Sequence, residues 1–201
     1  MRKQEYILGL VGSPRKGGNT DILVTEILKT AAGLGARTEV VYLGESGISP
    51  CQACGDCRAT GVCRQKDGMC KLLPKLHAAD GIVLGSPAYF GTATAQTKTF
   101  IDRLIALYDP KFVSRIKGTK KGAVVFVWAG PGGAYARELK PVVDNLAGVL
   151  KGVLKAKIVG RIAASDVAAP GDAGRSPELI RKARAIGGKL AGAGRETRTP
   201  V

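Results

Sequence analysis

Apolar and polar positions along this chain fall into blocks. Tyr6-Ile7-Leu8-Gly9-Leu10-Val11 is a continuous apolar run, the pattern of a strand buried on both faces. A polar, glycine-rich turn follows from Gly12 to Thr20. Ile22, Leu23, Ile27, Leu28 and Ala31 then recur at helical spacing, with Gly33 and Gly35 as stop signals. Thr38 to Leu43 reads as a second strand, completing a β-turn-α-β unit whose natural consequence is a parallel sheet. Residues 44–70 interrupt the pattern with weak periodicity, a length of structureless chain that is usually functional or disordered.

The alternation then resumes. Lys71 to Ala79 fits a short helix, and Gly81 to Gly85 a third buried strand. Thr94 to Tyr108 is helical, with Ala95, Phe100, Ile101, Leu104, Ile105 and Tyr108 suited to a core-facing side. Gly122 to Trp128 is a fourth strand and Tyr135 to Leu150 a fourth helix. Lys157 to Ala163 is a weaker fifth strand. Ser176 to Leu190 opens on Ser-Pro-Glu, an N-cap followed by proline at the first helical position. Five strands alternating with five helices predict a doubly wound, three-layer α/β/α domain over residues 1–191, with sheet order 2-1-3-4-5. Residues 192–201 offer little to bury and are expected to fray.

Length and composition narrow the picture. The 201 residues suffice for one α/β domain and are short for two. No apolar run approaches the ~20 residues that span a bilayer, and the first residues lack a leader's apolar stretch, so a cytoplasmic protein that avoids membranes is expected. The net charge of +15 is uneven: residues 1–110 hold 13 Lys/Arg against 10 Asp/Glu, and residues 111–201 hold 18 against 6. The excess lies in spaced residues such as Lys151, Lys155 and Lys157, with no nucleic-acid-reading module beside it. It reads as a solvated basic face that attracts anionic partners, with no nucleic acid expected.

Two loops carry candidate chemistry. Gly12-Ser13-Pro14-Arg15-Lys16-Gly17-Gly18-Asn19-Thr20 joins strand one to helix one. Its glycines let backbone N–H groups close around an anion, and the helix start adds partial positive charge. Ser13, Asn19 and Thr20 add short donors, and Arg15 offsets phosphate charge. The loop lacks the Gly-Lys-Ser/Thr ending of a Walker A motif, and no strand is followed by Gly-x-Gly-x-x-Gly. A capped flexible turn is the plainer reading of this loop alone. In a 2-1-3-4-5 sheet, however, ligands sit at the switch point between strands one and three. Strand three leads into Gly85-Ser86-Pro87-Ala88-Tyr89-Phe90-Gly91-Thr92, where Tyr89 and Phe90 offer flat surfaces to a planar ring. The loop after strand four, Ala129-Gly130-Pro131-Gly132-Gly133, reaches the same crevice. This combination favours FMN over NAD. The candidate FMN-binding residues are Ser13, Arg15, Lys16, Gly17, Gly18, Asn19, Thr20, Pro87, Ala88, Tyr89, Phe90, Gly91, Ala129 and Gly130.

Gly12 to Arg15 with Gly18 to Thr20 resembles the phosphate loop of the NADPH-dependent FMN reductase family. Gly85 to Gly91, continued by Lys98-Thr99-Phe100-Ile101-Asp102-Arg103-Leu104, is similar to that family's second flavin loop and following helix. The resemblance covers most of residues 5–160. It implies a flavodoxin-like fold, FMN, and a homodimer or homotetramer whose interface borders the flavin.

All five cysteines lie between Cys51 and Cys70, an odd count that speaks for metal or redox chemistry over structural disulfides. In Cys51-x2-Cys54-x2-Cys57-x5-Cys63 the two-residue gaps let three thiolates converge on corners of a cube, and a wider swing brings a fourth. Zinc usually pairs two Cys-x2-Cys knuckles, a thioredoxin-like context is absent, and the single histidine, His77, offers a nucleophile no partner. Zinc, disulfides and an empty site stay open as alternatives. The spacing resembles the family's iron–sulfur flavoprotein branch, which implies a [4Fe–4S] cluster on Cys51, Cys54, Cys57 and Cys63. Cys70 is then a packed free thiol, or the fourth ligand in place of Cys63.

These loops give three competing functions. One is an oxidoreductase coupling FMN to the cluster, with NADH or NADPH as co-substrate and no catalytic side chain. Another is a non-catalytic carrier exchanging electrons with ferredoxin or a similar protein. The last is a cluster-free FMN or quinone reductase.

Overall fold

A computed structural model of the chain describes residues 4–192. Its centre is a twisted parallel sheet of β1 (Tyr6–Val11), β2 (Arg37–Tyr42), β3 (Gly81–Tyr89), β5 (Lys120–Val127) and β6 (Ala156–Ala164), in the order β2-β1-β3-β5-β6. Leaving aside β4 (Thr92–Ala93), a two-residue strand folded back antiparallel on the end of β3, this is the expected 2-1-3-4-5 order. Parallel registers such as Leu10↔Leu84 and Leu84↔Val124 align the carboxyl ends of β1, β3 and β5 at one edge.

The period-2 alternation of a strand sends these apolar runs to two cores. Ile7, Val11, Val83, Ala123 and Val125 face α1 (Asn19–Gly33) and α7 (Pro177–Leu190). Leu8, Leu10, Ile82, Leu84, Val124 and Phe126 face α3 (Gly68–Ala78), α4 (Ala95–Arg103) and α5 (Ala134–Gly152). Burying each Leu, Ile or Phe fully contributes about 1.5–3 kcal/mol, so continuous apolar runs are needed in the central strands. Helices α1 and α7 touch closely because Gly187 has no side chain: a Cβ there would lie 2.5 Å from the Ile27 carbonyl oxygen.

Several boundaries differ from the sequence expectation for local reasons. Helix α3 starts at Gly68 because Asp67 caps it, accepting the Met69 N–H at 3.0 Å. The helix expected from Thr94 to Tyr108 ends at Arg103, continues as one 3-10 turn, Leu104–Leu107, and leaves Tyr108 bridged to Ser114. Strand β3 runs on to Tyr89, beyond the expected end at Gly85, because Ser86 and Pro87 still register with Phe126 and Val127 of β5. Two short helices were not anticipated, α2 (Asp56–Thr60) inside the cysteine segment and α6 (Asp172–Arg175). Ser176 caps α7 as its sequence implies, accepting the Leu179 N–H. Of the tail expected to fray, 193–201 lies outside the described residues. No helix among the described residues is long and apolar enough to cross a membrane.

Candidate functional site

At the carboxyl edge of the sheet, a cleft of about 270 Å³ opens above β1, β3 and β5. Its floor is the loop between β1 and α1. Helix α1 begins at Asn19, and its first intrahelical bond is Ile22 N–H to the Gly18 carbonyl at 2.9 Å. The N–H groups of Asn19, Thr20 and Asp21 therefore have no backbone acceptor, and the helix end carries partial positive charge there. Asp21 is turned away from the opening. Its carboxylate accepts the Gly17 N–H at 2.8 Å, the Thr25 hydroxyl at 3.1 Å and the Tyr42 hydroxyl at 3.2 Å, which pins the loop from below. Ser13 Oγ accepts the Arg15 N–H at 3.1 Å. Gly12 lets α4 approach, since a Cβ there would lie 1.8 Å from Thr97 Oγ1. Thr94 Oγ1, at the start of α4, donates to the Gly12 carbonyl at 2.7 Å.

Of the fourteen residues expected around a flavin, nine line this cleft: Ser13, Arg15, Gly18, Asn19, Thr20, Pro87, Ala88, Tyr89 and Ala129. Five stand off its wall. Lys16 is drawn aside into an ion pair with Glu45 at 2.8 Å, its ammonium 4.8 Å above the Tyr42 ring. Gly17 commits its N–H to Asp21. Phe90 and Gly91 form the tip of the β3–β4 hairpin with φ of +50° and +74°, and the Phe90 side chain is fully exposed. Gly130 lies behind Ala129, its carbonyl accepting the Asp166 N–H at 3.0 Å.

The sequence reading missed the far wall, made by Val127 and Trp128 at the end of β5 and by Val167, Ala168 and Pro170 after β6. The rule that ligands sit beyond the carboxyl ends of the strands pointed there, and Pro170-Gly171 marked the turn. Asn19 connects the two walls. Its Nδ2 donates to the carbonyls of Val167 and Ala169, each at 2.9 Å, and its Oδ1 accepts the Ala173 N–H at 3.0 Å. Its side chain thus holds the loop rather than facing an anion.

A second hollow, of about 580 Å³, is lined by Cys51, Cys54, Cys57 and Cys63 together with Arg58, Asp102, Arg103 and Ile105. The segment wraps tightly: Ala53, Gly55 and Gly61 all take positive φ, at 54°, 82° and 76°. For Ala53 that left-handed backbone costs roughly 1–2 kcal/mol, which the surrounding turn must offset. Cys57 is buried, Cys63 half-buried, and Cys51 and Cys54 are exposed. Burial raises the Cys57 thiol above its ordinary value, and the neighbouring Cys63, Cys51 and Cys54 push in the same direction. Cys70 stands apart on α3, its Sγ 3.2 Å from the Gln65 carbonyl. All five are free thiols, and among the described residues no three His, Cys, Asp or Glu side chains are grouped as a single metal ion would require.

Arg103, the last residue of α4, was named in the sequence reading only as part of a helix and given no role. Its side chain is 1% exposed. Nη1 donates to the Ser49 carbonyl and to Asp67, each at 2.6 Å, and Nη2 donates to Asp67 at 2.9 Å and to Cys63 Sγ at 3.3 Å. Hydrogen bonds from Arg103 hold the Asp67 carboxyl down at about 2. The Nε–H groups of Arg103, Arg58 and Arg115 are buried without an acceptor among the described residues. Arg58 lies 3.9 Å from the Phe112 ring centroid, and Arg115 donates to the last carbonyls of α2. Three guanidinium groups therefore surround the cysteine segment.

Comparison with known proteins agrees with this architecture. The family model for NADPH-dependent FMN reductase matches residues 6–169. An iron–sulfur flavoprotein of Archaeoglobus fulgidus is 36% identical over 92% of this chain and 78% of its own length. One from Methanosarcina thermophila is 33% identical over 69% of this chain and 71% of its own. Among solved structures, an NAD(P)H:quinone oxidoreductase from Methanothermobacter marburgensis superposes with a TM-score of 0.69 at 16% identity, over 94% of this chain and 96% of that one. A flavone reductase gives 0.67 at 23% identity over 95% of this chain and 63% of that one. An archaeal flavodoxin gives 0.55 at 14% identity, over 93% and 96% of the two chains. The fold is flavodoxin-like. The chain belongs to the NADPH-dependent FMN reductase family, in its iron–sulfur flavoprotein branch, and is an FMN-dependent oxidoreductase.

Proposed function

We propose that this protein couples FMN, held at the α1 N-terminus, to a [4Fe–4S] cluster held by Cys51, Cys54, Cys57 and Cys63. When bound, FMN supplies two-electron hydride chemistry and the cluster one-electron chemistry, so the pair converts between the two. The observation that carries this reading is helix α4. Thr94 at its start bonds the phosphate loop, and Arg103 at its end bonds the cysteine segment. The nine helical steps from Thr94 to Arg103 span about 14 Å at a rise of 1.5 Å each. One rigid element thus touches the walls of both hollows, which supports electron exchange between them.

The residues present fit both groups. Three unpaired helical N–H groups and Arg15 suit a phosphate, and Tyr89 and Trp128 supply flat walls for a ring. Four thiols spread around a hollow suit a cube of iron and sulfide better than one tetrahedral ion with bonds of about 2.3 Å. The guanidinium groups of buried Arg103 and half-buried Arg58 and Arg115 would offset the charge of thiolates. The cleft lining holds no carboxylate, histidine, cysteine or lysine side chain among the described residues, so no proton-transferring residue is assigned.

NADH or NADPH is the proposed two-electron donor, as the family's name suggests, and a ferredoxin-like protein the proposed one-electron partner. The proposed homodimer or homotetramer would cover Phe90, which projects bare beside the cleft. The test is the visible spectrum of anaerobically purified protein, with flavin, iron and sulfide assayed together. Flavin bands with a broad brown shoulder are expected. Flavin with neither iron nor sulfide would leave an FMN or quinone reductase. Oxidation of added NADH or NADPH is expected as well. Reduction by ferredoxin alone would instead mark a carrier.

A further inference from the structure

We propose that Arg103, clamped by Asp67, selects Cys63 over Cys70 as the fourth cluster ligand and raises the cluster's potential through its Nη2–H···Sγ hydrogen bond. This rests on the cluster reading above. Arg103 is a positioning residue acting through Cys63, and three observations support the role.

The first is that the clamp has no slack. Asp67 accepts both Nη groups of Arg103 and also the N–H groups of Ser49 and Met69, each at 3.0 Å. It therefore ties Ser49, two residues before the cysteine run, the start of α3 and the end of α4 to one carboxylate. A planar guanidinium held by two parallel bonds has little freedom left, so the second N–H of Nη2 points in a fixed direction. That direction is the Cys63 sulfur.

The second is the contrast with Cys70. Both cysteines lie downstream of the Cys51–Cys57 run, and spacing alone leaves them as rivals. Cys63 lines the hollow and receives the guanidinium hydrogen bond. Cys70 is outside the lining and turned to the Gln65 carbonyl. The guanidinium hydrogen bond thus fixes Cys63 Sγ at the wall of the hollow, where a ligand has to stand.

The third is burial with charge. Hydrogen bonds to cluster sulfurs and the charge around them set the potential of an iron–sulfur centre. Reduction adds negative charge, so a donor fixed on a ligand sulfur stabilises the reduced form more than the oxidised form. The guanidinium here is almost wholly buried, and bulk water screens it little. Its unpaired Nε–H adds another donor that an iron–sulfur group can satisfy.

The test compares anaerobically prepared wild type, Arg103→Lys, Arg103→Gln, Cys63→Ser and Cys70→Ser. Iron, sulfide and FMN are measured in each, with the cluster midpoint potential in those that retain iron. Arg103→Lys and Arg103→Gln are expected to keep FMN and shift the cluster's redox equilibrium about tenfold toward the oxidised form, a fall of about 59 mV for one electron. Cys70→Ser is expected to retain its full iron, and Cys63→Ser to lose it. A wild type with FMN but no iron overturns the cluster reading and this proposal with it. A loaded wild type whose Arg103 variants keep the same potential overturns the proposal alone. So does a Cys63→Ser variant that keeps its full iron through Cys70. Should the Arg103 variants fail to fold, wild type labelled with ¹⁵N in its arginine guanidinium groups is studied by electron–nuclear resonance of the reduced cluster. A ¹⁵N coupling is expected, and its absence refutes the hydrogen bond.

Discussion

Replacing Asn19 with alanine removes three hydrogen bonds that hold the far wall of the cleft to the start of α1. The bonds run to Val167 and Ala169 carbonyls and from the Ala173 N–H. Each is worth about 0.5–1.5 kcal/mol net, giving about 3 kcal/mol together. The better helix propensity of alanine returns about 0.5 kcal/mol. The remaining loss of about 2–3 kcal/mol corresponds to a fall in Tm of about 4–12 °C for a chain of this length. Because Val167, Ala168 and Pro170 line the cleft, FMN affinity should also drop by about tenfold, equal to 1.4 kcal/mol. Asn19→Asp should fare worse at neutral pH, since it turns a carboxylate toward two carbonyl oxygens. The assays are thermal melting of the FMN-free protein and fluorescence titration with FMN. An Asn19→Ala variant melting within about 2 °C of the parent with unchanged FMN affinity would refute the assigned role, because surface-like substitutions stay within about 0.5 kcal/mol.

Three further outcomes follow from other parts of the molecule. Tyr89→Ala should weaken FMN binding at least tenfold, whereas Phe90→Ser should leave the melting of the isolated protomer unchanged and shift sedimentation toward smaller species. The Asp67 carboxyl is held at about 2, below its ordinary value of 3.8, so its stabilisation is complete above pH 4 and is lost as pH falls toward 2. Acid titration of Asp67→Asn should therefore lack a component of about 2 kcal/mol in that window. Gly187→Ala should destabilise by about 1–3 kcal/mol in chemical denaturation, because its Cβ meets the Ile27 carbonyl oxygen at 2.5 Å and backbone cannot yield cheaply.

Where burial is continuous along the chain, the sequence was enough. The runs Tyr6–Val11 and Gly81–Gly85 admit few places other than central strands, and Ser176-Pro177 marks its helix start by cap chemistry alone. The loop between β1 and α1 was legible as a candidate anion site because its features are local: glycines, a helix start and N–H groups without a backbone acceptor are adjacent in sequence. Contacts between distant segments were not legible. Asn19 reads as a cap until the chain returns 148 residues later to place the Val167 carbonyl beside it. Arg103 sits in a helix next to Asp102 with nothing nearby in sequence to give it a role, yet Asp67, 36 residues earlier, pairs with it in a buried position. Lys16 and Phe90 show the converse. Each has chemistry suited to the cleft, but Glu45 captures one and the left-handed hairpin turns the other outward.

The proposed passage of electrons between the two hollows is tested most directly by reducing the flavin with light in anaerobic protein carrying both groups. The cluster's reduction is then followed by electron paramagnetic resonance. The cluster signal is expected to grow as the flavin signal decays, at a rate independent of protein concentration. A flavin that stays reduced beside an oxidised cluster, or a rate that rises with protein concentration, would contradict direct exchange within one protein.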